Sequence, residues 1–280
     1  MLLPILGLTI ALAAGAPGSA DDTAVPTTAW LWSDVAWVEA PVSGEGRAVE
    51  WRGPLYLGLD DWRVWKLQQH LTDLGVFRGE VDGVYGRETA AAVVAVHKLA
   101  GMDRTDVWQY EDWKIEFDHD AILARNPDEM DRLEIDLARQ VLFVIRAGEI
   151  VAILPVSSGN GEVYWSQNGG PGGGYVRADT PQGDFRLFKH IDGWRKNYLG
   201  ALYKPWYFTP YYAVHGSGSV PAHPASHGCV RVPTWESDHL DSILDIGLPV
   251  HIWDEPQVEP ETMDATETPL ATDAPVQGVA

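Results

Sequence analysis

The hydrophobic pattern of this chain changes its period once, and that change constrains the fold more than any other feature. Between about residues 55 and 110, apolar residues recur three or four positions apart, as at Val64, Leu67 and Leu71. From Arg132 onward, apolar and polar residues alternate, as in RLEIDL. Helical spacing indicates amphipathic helices, and alternation indicates half-buried strands. The sequence therefore predicts a small all-α part followed by a larger, mainly β part.

The helical part is predicted to form a three-helix domain over residues 55–113, followed by a linker over residues 114–130. Asp82 and Gly83 mark a turn in VDGVYG, between the first two helices, and Gly101 ends the second helix. This pattern resembles the peptidoglycan-binding-like domain, a small helical module common in exported cell-wall enzymes.

The β part is predicted to be a β-sandwich or mixed sheet with short helices, over residues 131–253. Two apolar runs, Val141–Ile145 and Ile150–Val156, flank the dipeptide Ala147-Gly148, which predicts a hairpin. The segments YYAVHG and LPVHIWD predict two further strands. The glycine-rich stretch from Ser158 to Thr180 has no strand period and predicts a long loop.

Composition restricts the partners and the compartment. The 280-residue chain carries 40 acidic and 20 basic side chains, a net charge of −20, which excludes a nucleic-acid binder. Residues 1–20 are an uncharged apolar run ending in small residues, which predicts a secretory signal peptide and an exported protein, with a short N-terminal anchor as the alternative. The run is too short and too broken by Gly and Pro for a membrane span. Residues 21–54 then form an N-terminal extension, and the acidic, proline-rich residues 254–280 a disordered tail.

The only cysteine, Cys229, stands in SHGCVR between His227 and Arg231. A single thiol forms no intrachain disulfide, so it is buried, joined to another chain or retained for its reactivity. A nucleophilic cysteine needs a base within hydrogen-bond reach, and His215, His223 and His227 all precede it closely. Zinc bound by Cys229 and these histidines is the alternative, although the H-x-C spacing and the single cysteine argue against it.

The segment AVHGSGSVPAHPASHGCVRV resembles the signature of the L,D-transpeptidase (YkuD-type) family. The resemblance extends upstream to TPQGDF and to RLEIDLARQVLFVIRAGEIVAILPVSSG. It implies a cysteine acyl transferase that acts on peptidoglycan without a cofactor or a metal. In the implied reaction, Cys229 attacks the third residue of a donor stem tetrapeptide and releases D-alanine, with His215 as the general base. An amine of a second stem then resolves the thioester and forms a 3→3 cross-link.

The other residues expected at the site fall into two groups. Four are expected to support the catalytic turn and the oxyanion hole: Gly228, His227, Ser226 and Gly216. The backbone N–H groups of Gly228 and Cys229 are the expected oxyanion donors. Three are expected to bind substrate: Arg231, Trp165 and Tyr207. For Arg231, bracing the catalytic turn is an equal alternative.

Two alternatives to transpeptidation stay open at this point. Water as the acceptor would make the protein an L,D-carboxypeptidase or endopeptidase, and loss of activity would make it a cell-wall-binding protein. The expected partners are peptidoglycan stem peptides, outside the cytoplasm. Because Cys229 and His215 both follow residue 132, the helical domain is expected to be dispensable for acylation by a soluble donor.

Overall fold

The computed structural model describes residues 53–117, 119, 125–126 and 128–254. The predicted signal peptide, the extension up to residue 52 and the acidic tail from residue 255 lie outside the described residues. All described residues belong to one compact unit.

Within the described residues, the helical part contains two α-helices and a shorter 3-10 helix. Helix α1 spans Trp62–Asp73, helix α2 spans Arg87–Leu99, and the 3-10 helix spans Tyr110–Lys114. Asp61 begins α1 by accepting a hydrogen bond from the Arg63 backbone N–H. The apolar residues that predicted α1 form its buried face: Val64, Leu67 and Leu71.

The β part contains the strands of two larger sheets and one separate hairpin. Its strands in the described residues are β1 (Arg132–Asp136), β2 (Val141–Arg146), β3 (Glu149–Pro155), β4 (Val163–Ser166), β5 (Gly174–Arg177), β6 (Gly183–Arg186), β7 (Lys189–His190), β8 (Trp194–Asn197), β9 (Gly200–Tyr207), β10 (Ala213–Ser217), β11 (Val230–Pro233) and β12 (Pro249–Trp253). Helix α3 (Thr234–Ile243) connects β11 to β12.

The sheets confirm the predicted mixed, mainly β architecture. The first has the order β3-β2-β1-β12-β6, and the second has the order β11-β10-β9-β7, with β8 also paired to β9. The pairs β1/β12 and β10/β11 are parallel, and the other neighbours are antiparallel. Leu142 and Ile252 from the first sheet and Val214 and Val230 from the second belong to the same buried cluster. The two sheets therefore share one core.

The hairpin predicted at Ala147-Gly148 is confirmed. Both residues have positive φ, 51° and 81°, as a tight turn between twisted strands requires.

The predicted loop between Ser158 and Thr180 is wrong, because it contains the antiparallel pair β4/β5. The glycines that hid the strand period form the turn of this hairpin. A Cβ on Gly169 would lie 2.5 Å from the carbonyl oxygen of Gly174, so the backbone contact excludes any side chain there.

The helical part packs directly on the β part. Helix α2 contacts β3, and the Ile153 N–H donates to the Gly75 carbonyl at 3.1 Å. Arg78 forms a largely buried ion pair with Glu236 of α3, at 2.8 Å between Nη2 and Oε2. These contacts join the predicted helical domain to the β part within one compact unit. None of the helices in the described part is long and apolar enough to cross a membrane.

The shared packing predicts that the helices and the sheets unfold together. Leu142 is fully buried in β2, and Leu142→Ala should lower the free energy of unfolding by about 2–5 kcal/mol, as buried Leu→Ala changes generally do. The helical circular dichroism signal in urea should show this loss, although the substitution lies in the sheet. Leu199→Ala, at a half-exposed turn, is the control. A helical signal with the same midpoint in Leu142→Ala and in the unaltered protein would contradict a shared folding unit.

Candidate active site

The parallel pair β10/β11 brings the candidate base and nucleophile to one face of the second sheet. His215 is the register partner of Arg231, and Val214 is the partner of Val230. The same register places Cys229 beside Ala213, whose backbone hydrogen-bonds the cysteine. Residues two apart on a strand face the same side. His215, Cys229 and Arg231 therefore share one face.

His215 is buried and held in one tautomer. Its Nδ1 lies 2.9 Å from the carbonyl oxygen of Gly216. Because a carbonyl only accepts, Nδ1 carries the proton and Nε2 remains as an acceptor. Burial, assisted by the positive charge of Arg231 and opposed by the Gly216 hydrogen bond, lowers the pKa of His215 to about 4. The imidazole is therefore neutral at pH 7 and able to accept a proton.

The Cys229 thiol is half-buried. Burial raises its pKa, although the Ala213 backbone and the charge of Arg231 act in the opposite direction. The Sγ atom lies 4.0 Å from the carbonyl oxygen of Tyr211, and within the described residues no hydrogen bond joins it to His215. The resting pair is a neutral thiol and a neutral imidazole, because burial disfavours the charged form of both groups.

The turn before Cys229 is held by hydroxyl groups on both sides. Ser226 Oγ donates to the Cys229 carbonyl at 2.5 Å, and Thr180 Oγ1 donates to the Gly228 carbonyl at 2.9 Å. Gly228 has a φ of +118°, and a Cβ there would lie 2.3 Å from Cε1 of Tyr212. Only glycine fits this position.

The two backbone N–H groups expected as oxyanion donors differ in their hydrogen bonding. The Gly228 N–H donates to Ser226 Oγ at 3.0 Å, so it is already engaged. The Cys229 N–H has no acceptor among the residues that the structure describes. One donor of the expected pair, at Cys229, therefore remains for an oxyanion.

The structure places the two predicted aromatic residues, Trp165 and Tyr207, in different surroundings. The exposed His227 packs edge-on against Tyr164, with 4.6 Å between the ring centroids. Trp165 is the next residue on β4, so it faces the other side of the hairpin, where it is 51% exposed. Tyr207 is half-buried, and its pKa is raised by burial and by the nearby Cys229.

Sequence reasoning missed three residues that the structure brings to the site: Tyr164, Thr180 and Tyr212. Thr180 belongs to TPQGDF, so that motif was the available signal. No sequence signal pointed to the two tyrosines, because their proximity to the site depends on how β4 and the segment before β10 pack around the turn.

The predicted support residue Gly216 serves two purposes. Its carbonyl holds His215, and a Cβ on it would lie 2.9 Å from Cβ of Ser237 in α3. Glycine is therefore required for β10 to pack closely against α3.

Arg231 is anchored by its backbone alone. Its N–H and carbonyl pair with Ser157, each at 3.0 Å. Its half-buried guanidinium makes no hydrogen bond or ion pair with a residue in the described ranges.

The zinc alternative has no ligand set in the described part of the chain, where no group of three or more His, Cys, Asp and Glu side chains is arranged to hold a metal. His223 and His227 are exposed, whereas His215 is buried.

Comparisons with known proteins place these features in a family. The family model of the L,D-transpeptidase catalytic domain (YkuD) matches residues 130–252. The crystal structure of an L,D-transpeptidase from Xylanimonas cellulosilytica is 38% identical, with a TM-score of 0.59, and the match covers 71% of this chain and 97% of that one. An L,D-transpeptidase from Stackebrandtia nassauensis matches at 19% identity over 71% of this chain and 95% of that one, with a TM-score of 0.39. No curated protein matches the chain.

This chain belongs to the L,D-transpeptidase family. The match to the Xylanimonas structure covers more of the chain than residues 130–252 alone, so it extends beyond the catalytic-domain match.

The geometry of the turn predicts a sharp difference between two glycines of the same loop. Gly228→Ala should lower the free energy of unfolding by about 1–3 kcal/mol, because it combines positive φ with steric overlap. Gly218→Ala, where a Cβ meets nothing within 4 Å, should change it by less than about 0.5 kcal/mol. Urea denaturation of both variants measures the difference. Equal stabilities would show that the turn relaxes and that glycine is not required at 228.

Proposed function

We propose that this protein is a peptidoglycan L,D-transpeptidase that uses Cys229 as its nucleophile and His215 as its general base. Membership of the family supports L,D-transpeptidase activity on peptidoglycan in general. The observation that carries the specific assignment is the tautomer of His215. With Nδ1–H held by Gly216, its Nε2 is a neutral acceptor on the same sheet face as the thiol.

In the first step, the proton of the Cys229 thiol moves to Nε2 of His215, and the sulfur attacks the carbonyl carbon of the third residue of a donor stem. The Cys229 N–H stabilises the negative oxygen that forms, a contribution of about 3 kcal/mol per donor in other enzymes. Collapse breaks the amide bond to the terminal D-alanine. Its amine leaves with the proton from His215, and a thioester on Cys229 remains.

In the second step, an amine of another stem attacks the thioester and gives up a proton to His215. The new amide is the 3→3 cross-link, and the Cys229 sulfur recovers its proton from His215. Water in place of the amine would give hydrolysis through the same intermediate. Because a stem peptide ends in a carboxylate, the Arg231 guanidinium beside the thiol is a suitable partner for it.

Three tyrosines support an extended peptide site around the thiol. The electrostatic influence of Cys229 contributes to raising the pKa of Tyr164, Tyr207 and Tyr212, after the larger effect of burial. The proposed substrate lies in the cell wall, so we propose that the protein acts outside the cytoplasm.

Covalent catalysis predicts a defined adduct. Incubation with a disaccharide-tetrapeptide should release D-alanine and add the remaining acyl group to Cys229, as intact-mass and peptide mass spectrometry would show. Cys229→Ser should form no adduct. Dimer formation identifies an amine acceptor, and tripeptide formation identifies water. Donor turnover that continues in Cys229→Ser would eliminate this thiol as the nucleophile.

The assigned base predicts different effects for two histidines. At pH 7, His215→Ala should lower the rate of Cys229 acylation by about 10²–10⁴-fold, the usual loss for a general base. His227→Gln, at an exposed position, should retain far more activity.

The pH dependence provides the second half of this test. Because burial raises the pKa of the thiol, its alkylation by iodoacetamide should increase mainly above about pH 8.5, the ordinary thiol value. Acylation of His215→Ala should recover partly over the same range, since the thiolate then forms without a base. Rapid alkylation at pH 6 that disappears in His227→Gln but not in His215→Ala would reverse the two roles.

A further inference from the structure

Two basic side chains of the helical part reach into the part of the chain that carries Cys229. Lys98, in α2, is 1% exposed. Its Nζ donates to the carbonyl of Val156 at 2.8 Å and to that of Gln140 at 3.1 Å. Burial, with a smaller effect from the nearby Arg104, lowers the pKa of Lys98 to about 7. The packing thus holds an amine where its charge is disfavoured.

Arg104 follows α2 and reaches a different part of the same region. Its Nη1 donates to the carbonyl of Ala222 at 3.1 Å, and its Nη2 donates to that of Ala138 at 2.7 Å. Ala222 lies in the loop that connects His215 to Cys229. One guanidinium therefore joins this loop to the turn between β1 and β2.

One of the two carbonyls held by Lys98, that of Val156, begins a segment that hydrogen-bonds the loop before Cys229. The Ser158 carbonyl accepts hydrogen bonds from the N–H groups of Ala225 and Ser226, each at 2.9 Å. The Gln140 side chain in turn bonds Ser158, donating to its hydroxyl at 2.7 Å and accepting from its N–H at 2.9 Å. Residues 156–158 thus connect Lys98 to the turn that presents the thiol.

We propose that Lys98 and Arg104 are positioning residues for Cys229, and that the helical part therefore belongs to the catalytic unit. The proposal rests on the function proposed above. Removing either side chain leaves buried backbone carbonyls without their hydrogen-bond donor. One side of the loop that precedes Cys229 then loses a restraint. A nucleophile displaced by about 1 Å loses about 10²-fold in rate. The proposal opposes the expectation that residues 55–110 are dispensable for acylation, because both side chains lie within them.

The test compares four variants of the full chain: Lys98→Met, Arg104→Met, Arg104→Lys and Lys114→Met. The last is the matched control, because Lys114 is exposed at the end of the 3-10 helix. Arg104→Lys keeps a donor that reaches one of the two carbonyls. If the buried Lys98→Met change prevents folding, the two Arg104 variants decide the question.

The first measurement is amide hydrogen exchange of the peptide that contains residues 222–229. In Lys98→Met and Arg104→Met, its exchange should be about tenfold faster, as expected where hydrogen bonds that restrain a loop are lost. Lys114→Met should match the unaltered protein. Unchanged exchange in the folded variants would overturn the proposal. This readout does not depend on catalysis, so it decides the matter even if no peptide donor acylates Cys229, a result that would instead refute the proposed function.

The second measurement is the rate of thioester formation from the tetrapeptide donor. The maximal rate should fall about 10–100-fold in both Met variants, with the half-saturating donor concentration changed less than about threefold. Arg104→Lys should recover part of the rate. A purely structural role would lower the melting temperature and leave the rate per folded molecule within about twofold of the unaltered protein, and that outcome would overturn the proposal.

Discussion

The parallel pairing of β10 with β11 is the constraint on which the rest of the site depends. Parallel neighbours need a crossover of about a dozen residues or more, usually a helix, and here the irregular segment 218–229 provides it. A loop of this kind must satisfy its buried backbone groups. Residues 157–158 do so, because they pair with Arg231 on one side and with Ala225 and Ser226 on the other. The segment after β3 therefore provides the hydrogen-bond partners that hold the turn before Cys229.

Burial also decides the electrostatics of the two groups that are proposed to react. His215 and Cys229 both lie where a charge is poorly solvated, so the histidine pKa falls and the thiol pKa rises. A preformed thiolate–imidazolium pair would require two charges in this environment. A neutral pair fits better, and in the proposed mechanism the proton moves as the sulfur attacks. The hydrogen bond to Gly216 matters here, because it leaves the correct ring nitrogen free.

The attachment of the helices to the sheets rests on few but well-buried polar contacts. Lys98 and Arg104 donate hydrogen bonds to backbone carbonyls, and Arg78 forms an ion pair with Glu236. A buried donor that lost its acceptors would cost more than the hydrogen bond contributed, because the remaining group would be desolvated and unpaired. Because losing a partner costs more than forming the bond contributes, these contacts select this packing of the helices on the sheets over others. They also explain how a part that resembles a separate module forms one unit with the β part.

The amino-acid sequence by itself determined the elements whose signals are local. Apolar spacing predicted the buried face of α1, Ala147-Gly148 predicted the hairpin turn, and the motif around Cys229 identified the family. The strand that carries His215 was also predicted from its own residues, in the segment YYAVHG. In each case the relevant interaction lies within one element or between neighbours in the chain.

Tertiary structure alone decided the remainder, for three physical reasons. A shift of one residue reverses the face of a strand, so only the pairing of β4 determined that Tyr164 and not Trp165 approaches the site. The Gly228 N–H, expected from the sequence as an oxyanion donor, donates to the Ser226 hydroxyl, which turns back toward it. Lys98 and Arg104 bind backbone carbonyls, which every residue carries. No sequence pattern marks such acceptors, and only the packing of α2 on β3 selects them.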